Sequence, residues 1–235
     1  MMTQQIDENL TEREIRLKMV VDIAHELRTP LGGIVGMNEL LLSSQLDPEQ
    51  KQFSETIHDS AKSMLQLLND FVELAKLDAE KVVIRSAPTH LQTLLDECSY
   101  ALRKLLKSHN IELNIVFSEG LPDTIGTDEN CLRQTIISIV TGATKYVESG
   151  TIRIDIAPAA HNAKKSGISF KITLPPNTVN RNGQPLFTVI ASENSPVLRF
   201  DSTWLRLSIA QHLLNLLQAT VSIQDNTMEF VIQSN

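Results

Sequence analysis

A chain of 235 residues is long enough for one large core, or for a smaller core with a helical extension, so one or two domains are expected. Its 42% hydrophobic and 21% charged residues are ordinary for a soluble globular protein, and with only 4% aromatics the packing must be mainly aliphatic. The net charge of −7, with no basic stripe, argues against a nucleic-acid or acidic-membrane partner, which needs concentrated Lys and Arg.

Residues 1–16 are polar and acidic, with no apolar run for a signal peptide or membrane anchor, so a cytoplasmic location is expected. Residues 12–44 read as one helix with a seven-residue step. Val20, Leu27, Ile34 and Leu41 form one line, and Ile23/Ala24, Pro30/Leu31 and Met37 form its companion. So narrow a stripe marks a helix in a bundle or coiled coil. Asp47-Pro48-Glu49-Gln50 is a helix start, with Asp as N-cap and Pro at the first helical position. The next helix, ending near residue 78, repeats the step with Ile57, Met64 and Phe71 beside Phe53, Leu67 and Leu74. Two long helices joined by a short turn make an antiparallel hairpin. A lone hairpin cannot bury two apolar stripes, so a homodimer completing a four-helix bundle is expected.

After Pro88 the periodicity changes. A helix over 89–108 (Leu91, Leu94, Leu95, Cys98, Leu102, Leu105) leads to an alternating strand over 111–117. Asp128 reads as the N-cap of a helix carrying Leu132, Ile136, Ile139, Val140 and Ala143. Strands follow at 151–156 and 167–174. Residues 175–196 read as a polar loop with a short strand at 186–190. Asp201 reads as the cap of a helix with Leu205, Ile209, Leu213 and Leu217, and 220–224 and 228–232 close as a hairpin. The class is α+β, a helical hairpin plus an α/β sandwich without regular βαβ alternation, divided as residues 1–86 and 87–235. Cys98 and Cys131 both fall in helices and read as reduced core thiols.

The most specific motif is His25-Glu26-Leu27-Arg28-Thr29-Pro30. A phosphoryl acceptor needs an exposed neutral imidazole with a free lone pair, and His offers this near neutral pH. His25 falls one position past Ile23 and Ala24, so it should border the bundle and face solvent. Thr29 and Arg28, four and three residues on, lie near it on the helix surface. Pro30 removes the amide that would bond to the Glu26 carbonyl and should bend the helix within about one turn of His25.

With these residues, 12–79 resemble the dimerisation and histidine-phosphotransfer domain of sensor histidine kinases. The resemblance implies that His25 is phosphorylated and that Glu26 polarises its imidazole as general base. It further implies that Thr29, paired with Glu26, positions water for dephosphorylating a response regulator, and that Pro30 supplies the bend. Residues 88–235 resemble the catalytic ATP-binding (Bergerat-type) domain of the same family, but depart from it where that family holds nucleotide. Ser138 and Gly142 stand where two Asn hold Mg²⁺ and phosphates, although Lys145 remains. Leu174 stands near the Asp that accepts from adenine, and Leu cannot accept a hydrogen bond. Ser202-Thr203-Trp204-Leu205-Arg206-Leu207 replaces a Gly-rich turn, and the Trp204 and Arg206 side chains would obstruct the approach of backbone amides to phosphates. No Gly-x-Gly string occurs anywhere in the chain.

The expectation is therefore a histidine phosphotransferase in a two-component phosphorelay. ATP binding is lost, and Mg²⁺ is supplied by a partner receiver domain. The partners expected are that response-regulator receiver, a second copy of the chain, and an upstream histidine kinase. An active sensor kinase with a divergent ATP site and a non-catalytic pseudokinase scaffold are the alternatives. No metal site is expected, because the remaining histidines show no His-x-x-His pairing and no Cys-x-x-Cys is present.

Overall fold

The computed structural model describes residues 11–159, 167–176, 178–179, 186–187 and 202–233. It divides into two compact units with the break between Val82 and Val83, four residues ahead of the boundary read from the sequence.

The first unit is a helical hairpin. Helix α1 (Glu12–Leu42) starts in a capping box, in which Thr11 accepts from the Glu14 amide and the Glu14 side chain accepts from the Thr11 amide. Helix α2 (Pro48–Asp78) starts in a second box built by Asp47 and Gln50, with Pro48 in the first turn, where its missing N–H is no loss. The two run antiparallel. At one end Arg13 pairs with Glu80 and Lys81 with Glu14, and the hydrogen bonds from Lys81 and Thr11 hold the Glu14 carboxyl down at about 2. Near the other end Asn38 meets Ser54.

The seven-residue step is real, but it splits in two. Ala24, Leu31 and Asn38 are buried, as are Ser54, Ala61, Leu74 and Leu77 of α2. The line Leu27, Ile34 and Leu41 remains 44–47% exposed. Asn38 is the polar surprise in this seam. Its Nδ2 donates to the Ser54 carbonyl (2.6 Å), and the Ser54 hydroxyl donates to Asn38 Oδ1 (2.7 Å). A buried amide paired in this way fixes the register of two helices better than apolar contact does.

The second unit is a two-layer sandwich. Its elements in chain order are β1 (Ala87–His90), α3 (Leu91–Ser108), β2 (Ile111–Phe117), β3 (Thr124–Thr127), α4 (Glu129–Thr144), β4 (Gly150–Ala159), β5 (Gly167–Thr173), α5 (Ser202–Leu216), β6 (Thr220–Gln224) and β7 (Thr227–Gln233). The main sheet has the order β2-β4-β5-β7-β6, with β2 parallel to β4 and every other pair antiparallel. Alternate residues of the central strands, such as Ile152, Ile154 and Ile156, enter one core with α3, α4 and α5. Phe170 and Phe230 sit opposite each other across β5 and β7 and stack at 5.0 Å between centroids.

Two differences from the sequence reading have local causes. Strands β1 and β3 pair as a small antiparallel sheet, and four residues each is too short to show alternation. Because Thr89 pairs with Ile125 in that ladder, α3 begins at Leu91 rather than at residue 89. Asp128 is an N-cap as expected. Its Oδ1 accepts from the Cys131 amide (3.0 Å), while Oδ2 accepts from the Arg85 amide (2.7 Å). Both cysteines are buried, and burial pushes the Cys98 thiol up to about 11. The expected cap at Asp201 and most of 175–196 lie outside the described residues. Of the expected strand at 186–190 only Leu186 and Phe187 are described, both buried in a turn.

Candidate phosphoacceptor site

His25, Glu26, Arg28, Thr29 and Pro30 all lie within α1, which continues through Pro30 to Leu42. Ala24 turns into the hairpin and is 2% exposed, which leaves His25, the next residue, exposed. An imidazole beside a packed seam has a fixed base and an open tip, which is what in-line attack on a protein-borne phosphoryl group needs. Glu26 is exposed beside it. The Thr29 hydroxyl reaches back to the His25 carbonyl oxygen at 3.4 Å, so Thr29 sits directly over the turn that carries the imidazole.

Arg28 does not hang free. Its Nη2 donates to Oδ1 of Asn69 on α2 at 2.9 Å. Nothing in the sequence singled out Asn69, because which α2 residue lies opposite Arg28 depends on the hairpin register. That register is set in part by Asn38 and Ser54, which the apolar pattern also passed over.

The five positions that depart from the nucleotide pattern lie on α4, just after β5 and on α5 of the second unit. Ser138 and Gly142 are both buried on α4. Leu174 is buried just after β5, its amide donating to the Asn226 carbonyl (2.9 Å). Trp204 and Arg206 are half-buried in the first turns of α5. The structure brings Gly142 and the start of α5 together. A Cβ added at Gly142 would lie 3.2 Å from Cγ and Cδ2 of Leu207 and 3.5 Å from Cβ of Arg206. Lys145 is exposed at the end of α4. Among the described residues no group of three or more His, Cys, Asp or Glu is placed to hold a metal ion, and no helix is long and apolar enough to cross a membrane.

A hairpin with an exposed imidazole on its first helix, followed by a five-stranded sandwich of this order, has the fold of a histidine-kinase type of core. Residues 15–80 match the His Kinase A (phospho-acceptor) domain, and this match together with the histidine-kinase neighbours supports a sensor histidine kinase family. It is 30% identical over 214 residues to the signal transduction histidine-protein kinase BarA of Escherichia coli, a match covering 88% of this chain and 23% of that protein. The chain thus spans about a quarter of the length of that relative. The fold is similar to that of full-length ShkA, crystallised in complex with AMPPNP (TM-score 0.67, 24% identity, 92% of this chain and 45% of that one). It is also similar to histidine kinase ThkA in complex with the response regulator protein TrrA (TM-score 0.53, 18% identity, 95% of this chain and 64% of that one).

Proposed function

We propose that this chain is a histidine phosphotransferase of a two-component phosphorelay, exchanging a phosphoryl group between His25 and the receiver aspartate of a response regulator without using ATP. The observation that carries this reading is the pairing of an exposed His25 with the packing at Gly142. The α4 face that resembles a phosphate-holding face bears Ser138 and Gly142, and Leu207 lies against it. Leu174 supplies no acceptor for an adenine amino group.

In the transfer, an imidazole nitrogen of His25 attacks the phosphorus of the receiver's aspartyl phosphate. The P–O bond to the aspartate breaks, the carboxylate leaves, and the proton on the other ring nitrogen is held by Glu26. Such a step asks for positioning, desolvation and charge stabilisation more than for covalent chemistry. The Mg²⁺ would be the receiver's own. The functional unit is a homodimer, supported by the exposed apolar line of Leu27, Ile34 and Leu41 on α1 and of Ile57 and Met64 on α2.

Two incubations test the reading, one with radiolabelled ATP and Mg²⁺, the other with phosphorylated receiver domains. Label should reach His25 only from the receiver and be lost in His25→Ala. Autophosphorylation from ATP would overturn the proposal in favour of an active kinase. Pathway output that survives His25→Ala would overturn it in favour of a scaffold.

A further inference from the structure

Arg28 is the only cationic side chain of the hexapeptide, and it lies three residues beyond His25, a neighbouring position on the helix surface. A long exposed arginine has no fixed direction unless something holds it. Here the holder is Asn69, reached across the hairpin at 2.9 Å.

The chemistry of that acceptor matters. A carboxylate would take the guanidinium fork with two parallel hydrogen bonds and cancel its charge. An amide oxygen takes one of the five N–H donors and leaves the positive charge intact. A carboxylate is available at the very next residue, yet Asp70 is buried and its Oδ1 accepts instead from Gln66 of its own helix (2.7 Å). The arginine is thus tethered by the neutral neighbour of the pair.

We propose that Asn69 is a positioning residue for phosphotransfer: its neutral amide holds Arg28 on the His25 turn, keeping the remaining N–H donors and the full charge for the oxygens of a phosphoryl group at His25. This inference rests on the phosphoacceptor reading of His25. Asn69 carries no contact to the reacting atoms and acts through Arg28.

The probe is phosphoramidate, a small phosphoryl donor that needs neither ATP nor a receiver. An imidazole nitrogen attacks its phosphorus, the P–N bond breaks, and ammonia leaves with the proton given up by the imidazole. The rate of phosphohistidine formation at His25 is followed by mass spectrometry in the full chain, with His25→Ala as control. Asn69 is exposed, so its variants leave the core untouched. Asn69→Asp, which pairs and neutralises Arg28, should slow the reaction roughly ten-fold, whereas Asn69→Gln, which keeps an amide, should retain most of the rate.

In an Arg28→Ala background Asn69→Asp should have no further effect, because both changes remove the same charge. A wild-type rate in Asn69→Asp overturns the inference, as does a penalty that persists undiminished without Arg28. Wild-type protein that takes no label at His25 overturns the phosphoacceptor reading itself, and this inference with it.

Discussion

At the scale of single residues, the site is a motif laid over a register. The hexapeptide is local, so His25, Glu26, Arg28, Thr29 and Pro30 could be named from their order alone. What they touch could not, because Asn69 meets Arg28 only when two helices are aligned by contacts elsewhere. One such contact is the Asn38–Ser54 pair, hidden from an apolar pattern because both members are polar. Ser54→Ala removes the hydroxyl that satisfies Asn38 Oδ1 and leaves a buried acceptor unpaired. Such a loss costs about 1–3 kcal/mol. Urea unfolding of the hairpin should show a drop of that size, and an unchanged midpoint would mean that water replaces the hydroxyl. Thr29→Ala tests a separate role. With phosphorylated receiver it should slow hydrolysis while transfer to His25 continues, and equal slowing of both would exclude a water-positioning function.

At the scale of elements, helix starts were the most legible features, because Asp47 and Asp128 announce themselves chemically. Asp128 does more than a cap requires, since its second oxygen holds the Arg85 amide and so ties the residues ahead of β1 to α4. Asp128→Ala should lower the stability of the sandwich by about 1–2 kcal/mol in equilibrium denaturation. The carboxyl also carries a pH signature. Burial works to raise its pKa, but hydrogen bonds from the Cys131 and Arg85 amides outweigh this and leave it below the ordinary aspartate value. A lowered folded-state pKa means that the ionised cap stabilises fully above the unfolded aspartate pKa, about 4, and that this contribution fades as pH falls through the folded value. Asp128→Asn keeps a capping oxygen but cannot titrate, so its unfolding free energy should fall less steeply than wild type between about pH 5 and 2. Parallel acid limbs would remove Asp128 from the account. The strands β1 and β3 were not legible, because they pair with each other and are too short for a period of two to emerge.

At the scale of the whole molecule, the pattern changes from a period of seven to mixed helix and strand after Pro88, and the structure divides into two compact units between Val82 and Val83. The pattern could not say which half of the α1 stripe turns into its own hairpin. Ala24, Leu31 and Asn38 do so, while Leu27, Ile34 and Leu41 keep 44–47% of their surface open. If a second copy covers that open line, a charge placed in it must be buried without a partner. Ile34→Asp should then weaken self-association roughly a hundred-fold or more, given the several kcal/mol that an unpaired buried charge costs. Sedimentation of wild type and variant checks this. A wild-type chain that is monomeric at tens of micromolar, or a variant that associates equally well, would rule the dimer out.

The contact between Gly142 and Leu207 also links substitutions at the two positions. Any side chain placed at position 142 meets Leu207 at 3.2 Å and Arg206 Cβ at 3.5 Å. A side chain placed there requires Leu207, 0% exposed, to give by a few tenths of an ångström, and trimming Leu207 to make room opens a hole in the core. The close fit of two helices thus couples the two positions, so that a change at 142 is felt first at Leu207.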